Sequence, residues 1–446
     1  MSAPPVPVLR RRNTELGLVM LAGVATAAAY VLASLGTSSQ IPVDLGPFLG
    51  FVLGLFLVAH MAVRRFAPDA DPVVLPVAAL LNGIGYVVIT SLDAGGRESF
   101  ATAQATWTAI GVGAFCVSLV VLPRIRDLQR YRYTFLLIGL VLLILPFVPG
   151  LGRERFGARI WVSLGPVSFQ PGEVTKLVLA LFIAGYLVDK RELLRASSRR
   201  LGPFHLPEPK YLGPVLLAWA VSLMVMISQK DLGTSLLFFT LFIVMLWVAT
   251  ERPSWLVIGA VLFLAGAYFS FTRFGHVQDR VDIWLDPWQD PDGTGYQIIQ
   301  AAFAMAAGGL VGTGFGLGGS VRIPLAESDF IFAAIGEQLG LFGATLVLAA
   351  FLVIIGSGLR IAVRTDHPFE KLLAVGLTTL IGVQAFIIMG GVTRLLPLTG
   401  VTLPFVSYGG SSLVANYVLI ALLLRISDES NRRPRKPEVV VSPGVS

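Results

Sequence analysis

Apolar segments long enough to cross a lipid bilayer recur along almost the whole 446-residue chain. Because lipid offers the backbone no hydrogen-bond partners, each segment is expected to form a helix. With 55% hydrophobic and 14% charged residues, the chain also has more apolar surface than one water-facing core could bury. The candidate segments are 15–35, 47–63, 73–91, 104–122, 133–148, 172–188, 211–228, 232–249, 254–272, 330–358, 370–390 and 411–427. The sequence therefore predicts an all-α polytopic integral membrane protein with about twelve membrane helices.

The lysines and arginines are unevenly divided between the two sides that these helices would define. With a cytoplasmic N-terminus, 24 of the 34 lie in the inner connections and terminal segments. Since cytoplasmic connections are enriched in lysine and arginine, both termini of this multi-pass plasma-membrane protein are expected in the cytoplasm. The basic excess then suits membrane lipids better than nucleic acid.

Cysteine and histidine usage excludes several kinds of site. Cys116 is the single cysteine, and the four histidines (His60, His205, His276 and His367) have no ligand-like spacing, so neither a disulfide framework nor a zinc site is expected. The outer connections contain only one of these histidines, His276, and no Ser-His-Asp set can be assembled. A mechanism based on a carboxylate remains.

The outer connection 152–176 combines basic, aromatic and acidic side chains. Arg159 and Trp161 precede the next apolar segment, whose first turns contain Glu173 and Lys176. These two are three residues apart, so they share a helix face and can form an ion pair. A lysine one turn inside a membrane helix must be paired or serve a polar cavity. A structural ion pair and a functional site are both consistent with this spacing.

The longest outer connection, 273–328, joins aspartates and tryptophans to a glycine-rich stretch. Aromatic faces pack on sugar rings and carboxylates accept hydroxyl protons, although the same aromatic residues could line the membrane interface. The run 314–319 has the glycine spacing of a dinucleotide site, but no strand precedes it, so that site is excluded. Alternatively, the backbone N–H groups of this glycine-rich stretch could bind a phosphate.

Asp329 lies where this connection meets the next apolar segment. A carboxylate at such a boundary could cap the helix by accepting hydrogen bonds from free backbone N–H groups. It could also act as a base at the outer surface. The outer turns 227–235 and 390–412 bring further polar side chains, and all three regions could line one outward-facing cavity.

Six motifs follow one another in order through most of the chain. They are QATWTAIG (104–111), GARIWVSLGPVSFQPGEVTK (157–176), QKDLGTS (229–235), GTGYQIIQ followed by GGLVGTGFGLG (293–318), IPLAESDFIFAAIGEQLG (323–340) and LPFVSYGGSS (403–412). Together they resemble the SEDS family (shape, elongation, division and sporulation), the RodA and FtsW type of peptidoglycan glycosyltransferase. The resemblance is nearer the RodA type, which implies a role in cell-wall elongation and cell shape rather than cell division.

The resemblance implies a ten-helix core at 73–427 that polymerises lipid II at the outer face of the cytoplasmic membrane. Two additional N-terminal membrane helices at 15–63 precede the core, and a large extracellular loop at 273–328 interrupts it. A cytoplasmic N-terminus at 1–14 and a disordered cytoplasmic tail at 428–446 complete the expected organisation. The expected partners are lipid II, the growing glycan strand, membrane lipids and a class B penicillin-binding protein that cross-links the strands.

The family's reaction joins the 4-hydroxyl of one lipid II sugar to the anomeric carbon of a glycan held as a polyprenyl diphosphate, with inversion. By resemblance Asp329 is the catalytic base. The residues expected to bind substrate are Trp107, Arg159, Trp161, Glu173, Lys176, Asp231, Arg280, Gln297, Gln300, Ser407 and Ser411. Positive charge for the diphosphate could come from basic residues in this set or from a divalent cation such as Mg²⁺ or Mn²⁺, and no other cofactor is expected.

Some positions depart from the family pattern. Leu325 stands where the family usually has a glutamate, for which Glu327 could substitute, and Lys230 replaces a usual proline. Glu337 follows Asp329 by eight residues and lies too far around the helix to form a carboxylate dyad with it. It is predicted to brace polar groups between helices.

Two other functions fit the same composition. A transporter that flips lipid II would also use many helices and charged residues in the membrane. A noncatalytic scaffold of the division or elongation machinery would tolerate changes in the outer loops. The polar residues gather at the predicted outer face with no matching inner site, which favours polymerisation.

Overall fold

The structure is a computed structural model that describes residues 8–42, 45–94, 100–155, 158–165, 167–192, 198–201, 204–207 and 227–432, with isolated positions between 213 and 224. In this part of the chain, 11 helices are long and apolar enough to cross a membrane. They match the predicted segments except 211–228, in which 10 of the 18 residues lie outside the described residues. The predicted all-α polytopic fold is confirmed.

The elements are numbered here in chain order over the described residues. The helices are α1 (Val8–Ser38), α2 (Leu45–Phe66), α3 (Val74–Asp93), α4 (Phe100–Val121), α5 (Arg132–Ile144), α6 (Pro171–Asp189), α7 (Leu232–Thr250), α8 (Ser254–Arg273), α9 (Gly275–Leu285), α10 (Tyr296–Gly308), α11 (Ile331–Arg364), α12 (Pro368–Val392) and α13 (Gly410–Arg432). The strands are β1 (Gly152–Arg155), β2 (Ala158–Leu164), β3 (Val167–Phe169), β4 (Ser198–Leu201) and β5 (Phe204–Pro207). The connection 273–328, predicted as a loop, thus contains the helices α9 and α10.

The most buried membrane helices are α3, α6, α12 and α13. Helix α13 packs along α4, α1 along α3, and α12 along α11. One large cluster of buried apolar side chains runs through these contacts. Helix α8 instead exposes most of its apolar surface, as a helix that faces lipid can do without cost.

A break in α11 ties this helix to the segment that follows α10. Gly340 adopts φ 66° and ψ −165°, a conformation that residues other than glycine rarely adopt. The N–H of Leu341 donates to the carbonyl of Gly309 at 3.0 Å, and that of Phe342 donates to Leu310 at 3.2 Å. Backbone groups that the break frees are therefore satisfied within the protein, as an apolar surrounding requires.

A small antiparallel sheet, which the sequence did not predict, precedes α6. Its strands lie in the order β1-β2-β3, with Gly152 opposite Val162 and Val162 opposite Phe169. Just after β3, the backbone N–H of Gln170 donates to Oγ of Ser411 at 2.9 Å. The sheet is thereby attached to the beginning of α13. Strands β4 and β5 form a separate antiparallel pair.

Buried charges join the two additional N-terminal helices to each other and to the core. Glu15 of α1 forms an ion pair with Arg12, and its second oxygen lies 2.7 Å from Nδ1 of His60 in α2. Arg12 also donates to the carbonyl of Ala70, just before α3. All three side chains are almost fully buried, so each depends on these partners for its hydrogen bonds.

The last helix is longer than predicted. Helix α13 continues to Arg432, so the expected disordered tail does not begin at residue 428. Asp428 is buried and accepts a hydrogen bond from the N–H of Asp69 at 2.8 Å, while Asn431 donates to the carbonyl of Asp69 at 2.8 Å. These contacts hold the last turns of α13 against the connection between α2 and α3. Residues 433–446 lie outside the described residues.

Arg425 holds the same end of the helical bundle together. Its guanidinium donates to the carbonyls of Phe66, Leu119 and Leu122, and it lies 3.6 Å from the carboxylate of Asp428. One buried side chain therefore satisfies the last carbonyls of α2 and α4, which have no partner inside their own helices.

We expect Arg425→Ala to lower the free energy of unfolding by roughly 3–5 kcal/mol, because it leaves three carbonyls without their donor and removes the buried one of the two cations beside Asp428. Thermal unfolding of the purified protein in detergent measures this. Arg432→Ala is the matched control. Arg432 also pairs with Asp428, but its side chain is 49% exposed, so we expect a loss of about 0–1 kcal/mol. Equal losses in the two variants would contradict this role of Arg425.

Candidate active site around Asp329

A tight turn before α11 presents the carboxylate of Asp329. The carbonyl of Leu325 accepts hydrogen bonds from the N–H groups of Ser328 and Phe330, and Leu325 itself has a positive φ of 61°. Helix α11 begins at Ile331 with Phe330 as its N-cap, and no side chain caps it. The helix-cap alternative for Asp329 is therefore wrong, and its carboxylate is available for another role.

The loop between α12 and α13 is fastened to this turn by side-chain and backbone hydrogen bonds. Oγ of Ser407 donates to the carbonyl of Ser328 at 2.6 Å and accepts from the N–H of Leu403 at 2.8 Å. The N–H of Tyr408 donates to the carbonyl of Glu327 at 2.8 Å. The loop thus forms one wall beside Asp329.

Gly400 lies directly opposite the carboxylate. It has a positive φ of 74°, and a Cβ placed on it would lie 3.6 Å from Oδ2 of Asp329. A side chain at this position would be strained and would point at the carboxylate. Glycine therefore keeps the space in front of Asp329 open.

Two charged residues from other elements complete the group. Nη1 of Arg280, on α9, donates to the carbonyl of Leu398 at 2.7 Å, and its charge acts on both Asp329 and Asp231. Asp231 caps α7 by accepting a hydrogen bond from the N–H of Thr234 at 3.0 Å. The first turn of α7 packs closely on residues 399–401. The structure therefore brings together three of the predicted site residues around one loop.

Burial shifts the acid–base properties of these groups. Loss of water contact raises the pKa of Asp329 to about 6, although a hydrogen bond with Ser328 and the charge of Arg280 oppose the shift. Burial also raises the pKa of Asp231 against the hydrogen bonds from Thr234, and it lowers the pKa of Arg280. Asp329 nevertheless keeps some exposed surface. Its carboxyl group can thus gain or lose a proton near neutral pH and can be reached by a ligand.

The predicted pair of Glu173 and Lys176 is confirmed, with Nζ of Lys176 2.5 Å from Oε2 of Glu173. Lys176 also donates to Oε1 of Gln384 at 2.8 Å, and Nε2 of Gln384 donates to the carbonyl of Thr402 at 2.8 Å. Lys176 is 1% exposed. The pair therefore supports the loop between α12 and α13 through Gln384. The negative charge of Glu173 also raises the pKa of Asp231.

A second group of predicted residues lies around the start of α13. The ring of Trp107 on α4 packs against Gly410, where a Cβ would come within 2.2 Å of it. Ser411 holds the end of the sheet, and Ser407 holds the Asp329 turn. Both hydroxyls therefore position backbone segments, and Ser407 connects this second group to Asp329.

The remaining predicted binding residues lie further out. Arg159 is exposed on β2, and Trp161 on the same strand is half-buried. Gln297 and Gln300 are half-buried on α10, and the described residues include no hydrogen bond between either amide and the Asp329 group. Their roles in substrate binding stay predictions.

The glycine-rich stretch uses its backbone to bind a protein carboxylate. The N–H groups of Gly319 and Ser320 each donate to Glu337 at 2.7 Å. The N–H of Thr313 donates to the carbonyl of Glu337 at 2.9 Å. The carboxylate of Glu337 on α11 therefore occupies these two amides, which the sequence had offered as a phosphate-binding backbone. Glu337, predicted to brace polar groups between helices, instead braces the backbone of the connection before α11.

Sequence reasoning missed several residues that shape this site, notably Gly400, Gln384 and Leu398. Gln384 gave a usable signal, because an amide side chain within an apolar membrane segment usually marks a functional or polar contact. Gly400 and Leu398 gave none, since their roles come from a backbone conformation and a carbonyl that only the folded loop brings to the site.

Comparison with known proteins agrees with this geometry. The family of FtsW, RodA and SpoVE cell cycle proteins matches residues 72–432. Peptidoglycan glycosyltransferase RodA of Mycobacterium tuberculosis (strain ATCC 25618 / H37Rv) is 46% identical over 452 residues, which cover 99% of this chain and 96% of the relative.

Two solved structures have the same fold. The crystal structure of Thermus thermophilus rod shape determining protein RodA aligns with a TM-score of 0.58 at 23% identity and covers 82% of this chain and 98% of that one. A chain from a structure described as structural coordination of polymerization and crosslinking by a peptidoglycan synthase complex aligns with a TM-score of 0.56 at 25% identity, covering 87% of this chain and 98% of that one. From its motifs, its fold and its near full-length relative, the chain belongs to the FtsW, RodA and SpoVE family, the SEDS family that the sequence motifs indicated.

Proposed function

We propose that this protein is a peptidoglycan glycosyltransferase that polymerises lipid II into glycan strands at the outer face of the cytoplasmic membrane, for cell-wall elongation and cell shape. The Mycobacterium tuberculosis relative, similar over nearly its whole length, is named for this activity and for the RodA type. The observation that carries the proposal is the partly buried carboxylate of Asp329, which lies opposite Gly400 and interacts with the charge of Arg280.

In this reaction Asp329 accepts the proton of the 4-hydroxyl on the acceptor sugar. The hydroxyl oxygen forms a bond to the anomeric carbon of the growing strand, while the bond from that carbon to the diphosphate oxygen breaks. The electron pair of the broken bond leaves with the polyprenyl diphosphate. Attack on the face opposite the leaving group accounts for inversion. A pKa near 6 suits the base, because the carboxylate is mostly unprotonated at neutral pH yet still basic.

The leaving diphosphate needs positive charge, and Arg280 is the best candidate for it. Its charge acts on Asp329 and Asp231, and its guanidinium is held by the carbonyl of Leu398. A fixed guanidinium stabilises developing negative charge without reorganising in the reaction. Lys176, considered from sequence for the same task, is buried and bound to Glu173 and Gln384, so it acts on the loop rather than on the substrate.

A divalent cation such as Mg²⁺ or Mn²⁺ fits this site only as a companion of the substrate. The described residues contain no group of three or more His, Cys, Asp or Glu side chains that could hold a metal ion. Mg²⁺ commonly takes its protein ligands from one or two carboxylates and completes its shell with phosphate oxygens and water. A cation would therefore enter with the diphosphate.

A class B penicillin-binding protein is the proposed partner that cross-links the new strands. The similar chain from a peptidoglycan synthase complex supports this, because that complex is described as coordinating polymerization and crosslinking.

We expect Asp329→Asn to reduce lipid II polymerisation by purified protein by about 10² to 10⁴-fold, the usual contribution of a general base. The amide keeps the size of the side chain but cannot accept the proton. Asp292→Asn is the matched control, because Asp292 is an exposed carboxylate of the connection 273–328. Glycan strands separated by gel electrophoresis give the readout. Normal polymerisation by Asp329→Asn would exclude the proposed mechanism, and no polymerisation by the wild type would favour the flippase or scaffold alternatives.

The rate of polymerisation should fall as the pH is lowered through about 6, because protonated Asp329 cannot act as a base. Arg280 lowers the pKa of Asp329, so Arg280→Gln should move this fall to higher pH and reduce the maximal rate by roughly 10²-fold. Initial rates measured from pH 5 to 8 test both effects. A fall at the same pH in both proteins would contradict the charge interaction between Arg280 and Asp329.

The distribution of lysine and arginine supports a cytoplasmic location for both termini. Green fluorescent protein fused after Ser446 should therefore fluoresce, and alkaline phosphatase inserted after Asp292 should be active outside the cytoplasm. The opposite pair of results would place the Asp329 site on the cytoplasmic side and would contradict the proposed polymerisation at the outer face.

A further inference from the structure

Few buried contacts hold helix α9, which carries Arg280, in place. None of its residues is fully buried, and it follows α8, which itself faces mostly lipid. His276, Arg280 and Ile283 recur at helical spacing on its half-buried face. Because no residue of α9 is fully buried, the position of Arg280 depends on the polar contacts that hold this helix.

Arg394 supplies such a contact at the C-terminal end of α9. Its Nη2 donates to the carbonyl of Trp284 at 3.0 Å and to that of Leu285 at 3.3 Å. In return, Nε1 of the Trp284 indole donates to the carbonyl of Arg394 at 2.9 Å. We call this reciprocal set of hydrogen bonds between Arg394 and residues 284–285 the clasp. It satisfies the last carbonyls of α9 with a cation, which is the charge that a helix C-terminus favours.

The backbone at Arg394 is shaped for this contact. Arg394 has a positive φ of 60°, a conformation uncommon for residues other than glycine. It directly follows Thr393, the C-cap of α12, so the turn there aims its side chain toward α9. An unfavourable backbone conformation that the surrounding contacts maintain points to a role for the residue.

The clasp and Arg280 act on the same short loop. Arg280 donates to the carbonyl of Leu398, four residues after Arg394, and Gly400 of this loop faces Asp329. The other end of the loop is fixed by Ser407 to the Asp329 turn. Helix α9 and the loop are thus joined at two points, and Arg280 lies between the clasp and the carboxylate.

We propose that Arg394 is a positioning residue of the polymerase site, which clasps the end of α9 to the α12–α13 loop and so keeps Arg280 beside Asp329 and Asp231. The inference rests on the proposed function. Arg394 touches no reacting atom in this account. Arg394 affects the reaction through Arg280. Trp284 contributes to the same positioning, because its indole N–H is part of the clasp.

The test compares Arg394→Ala with Arg322→Ala in the purified full-length protein. Arg322 is an exposed arginine of the connection 273–328, so the control removes the same charge without touching the clasp. We expect Arg394→Ala to lower the maximal polymerisation rate by about 10 to 10²-fold, because small misplacements of a catalytic group have effects of this size. Arg322→Ala should match the wild type.

The pH profile separates positioning from general loss of structure. The charged groups that act on Asp329 are Glu327 in its own turn and Arg280 from α9, and Arg280 also interacts with Asp231. His276 on α9 lies near Arg280, Lys230 and Asp279. If Arg280 moves away, the fall in rate at low pH should shift to higher pH in Arg394→Ala, in the same direction as in Arg280→Gln. The double variant should be no slower than Arg280→Gln alone, since both changes remove one interaction.

Hydrogen exchange gives a readout that does not depend on activity. Amides of residues 275–285 should exchange faster in Arg394→Ala than in the wild type and Arg322→Ala. If Arg394→Ala does not fold, Trp284→Phe removes only the indole donor of the clasp and should show the same changes with smaller amplitude.

The inference would be overturned if Arg394→Ala had the same polymerisation rate, pH profile and hydrogen exchange as Arg322→Ala. It would also be overturned if the losses of rate in Arg394→Ala and Arg280→Gln multiplied in the double variant. A wild-type protein that makes no glycan would instead overturn the proposed function, while faster exchange limited to 275–285 would still support the clasp.

Discussion

In an apolar surrounding, every backbone N–H and carbonyl must find its partner inside the protein, and the details of this structure follow from that constraint. Unbroken helices meet it without help. Where a helix breaks or ends, other groups take over: the segment after α10 binds the backbone at Gly340, and Arg425 binds the last carbonyls of α2 and α4. Polar side chains are thus placed mainly where regular structure stops.

The Asp329 site is built in the same way. The loop between α12 and α13 has no regular structure of its own, and it is held by Ser407, Gln384 and Arg280 through hydrogen bonds to its backbone. Several residues that resemblance assigns to substrate binding therefore already bind the protein. Ser407, Ser411 and Lys176 hold the backbone around the site, whereas Asp329, Asp231 and Arg280 supply its charges.

Sequence alone predicted the membrane helices well, because hydrophobic length is a local property that lipid enforces. It also pointed to Asp329, Arg280 and Asp231, which the folded chain brings together, and to the Glu173–Lys176 ion pair. It did not predict helices α9 and α10 or the sheet before α6, since these surface elements lack the long apolar signal. The conformation of the loop between α12 and α13 could not be predicted from sequence either. The positive φ of Gly400 and the carbonyl of Leu398 matter only after distant helices have met.

Partial burial beside this loop keeps Asp329 ready to accept a proton near neutral pH. The most direct test is an infrared titration of the protein with carboxyl-labelled aspartate, taken as the difference between wild type and Asp329→Asn. The structure predicts one carboxyl group that is lost in the variant and titrates near pH 6. A midpoint near the usual value for aspartate, about 4, would contradict the claim, because it would mean that Asp329 is solvated like an ordinary surface carboxylate.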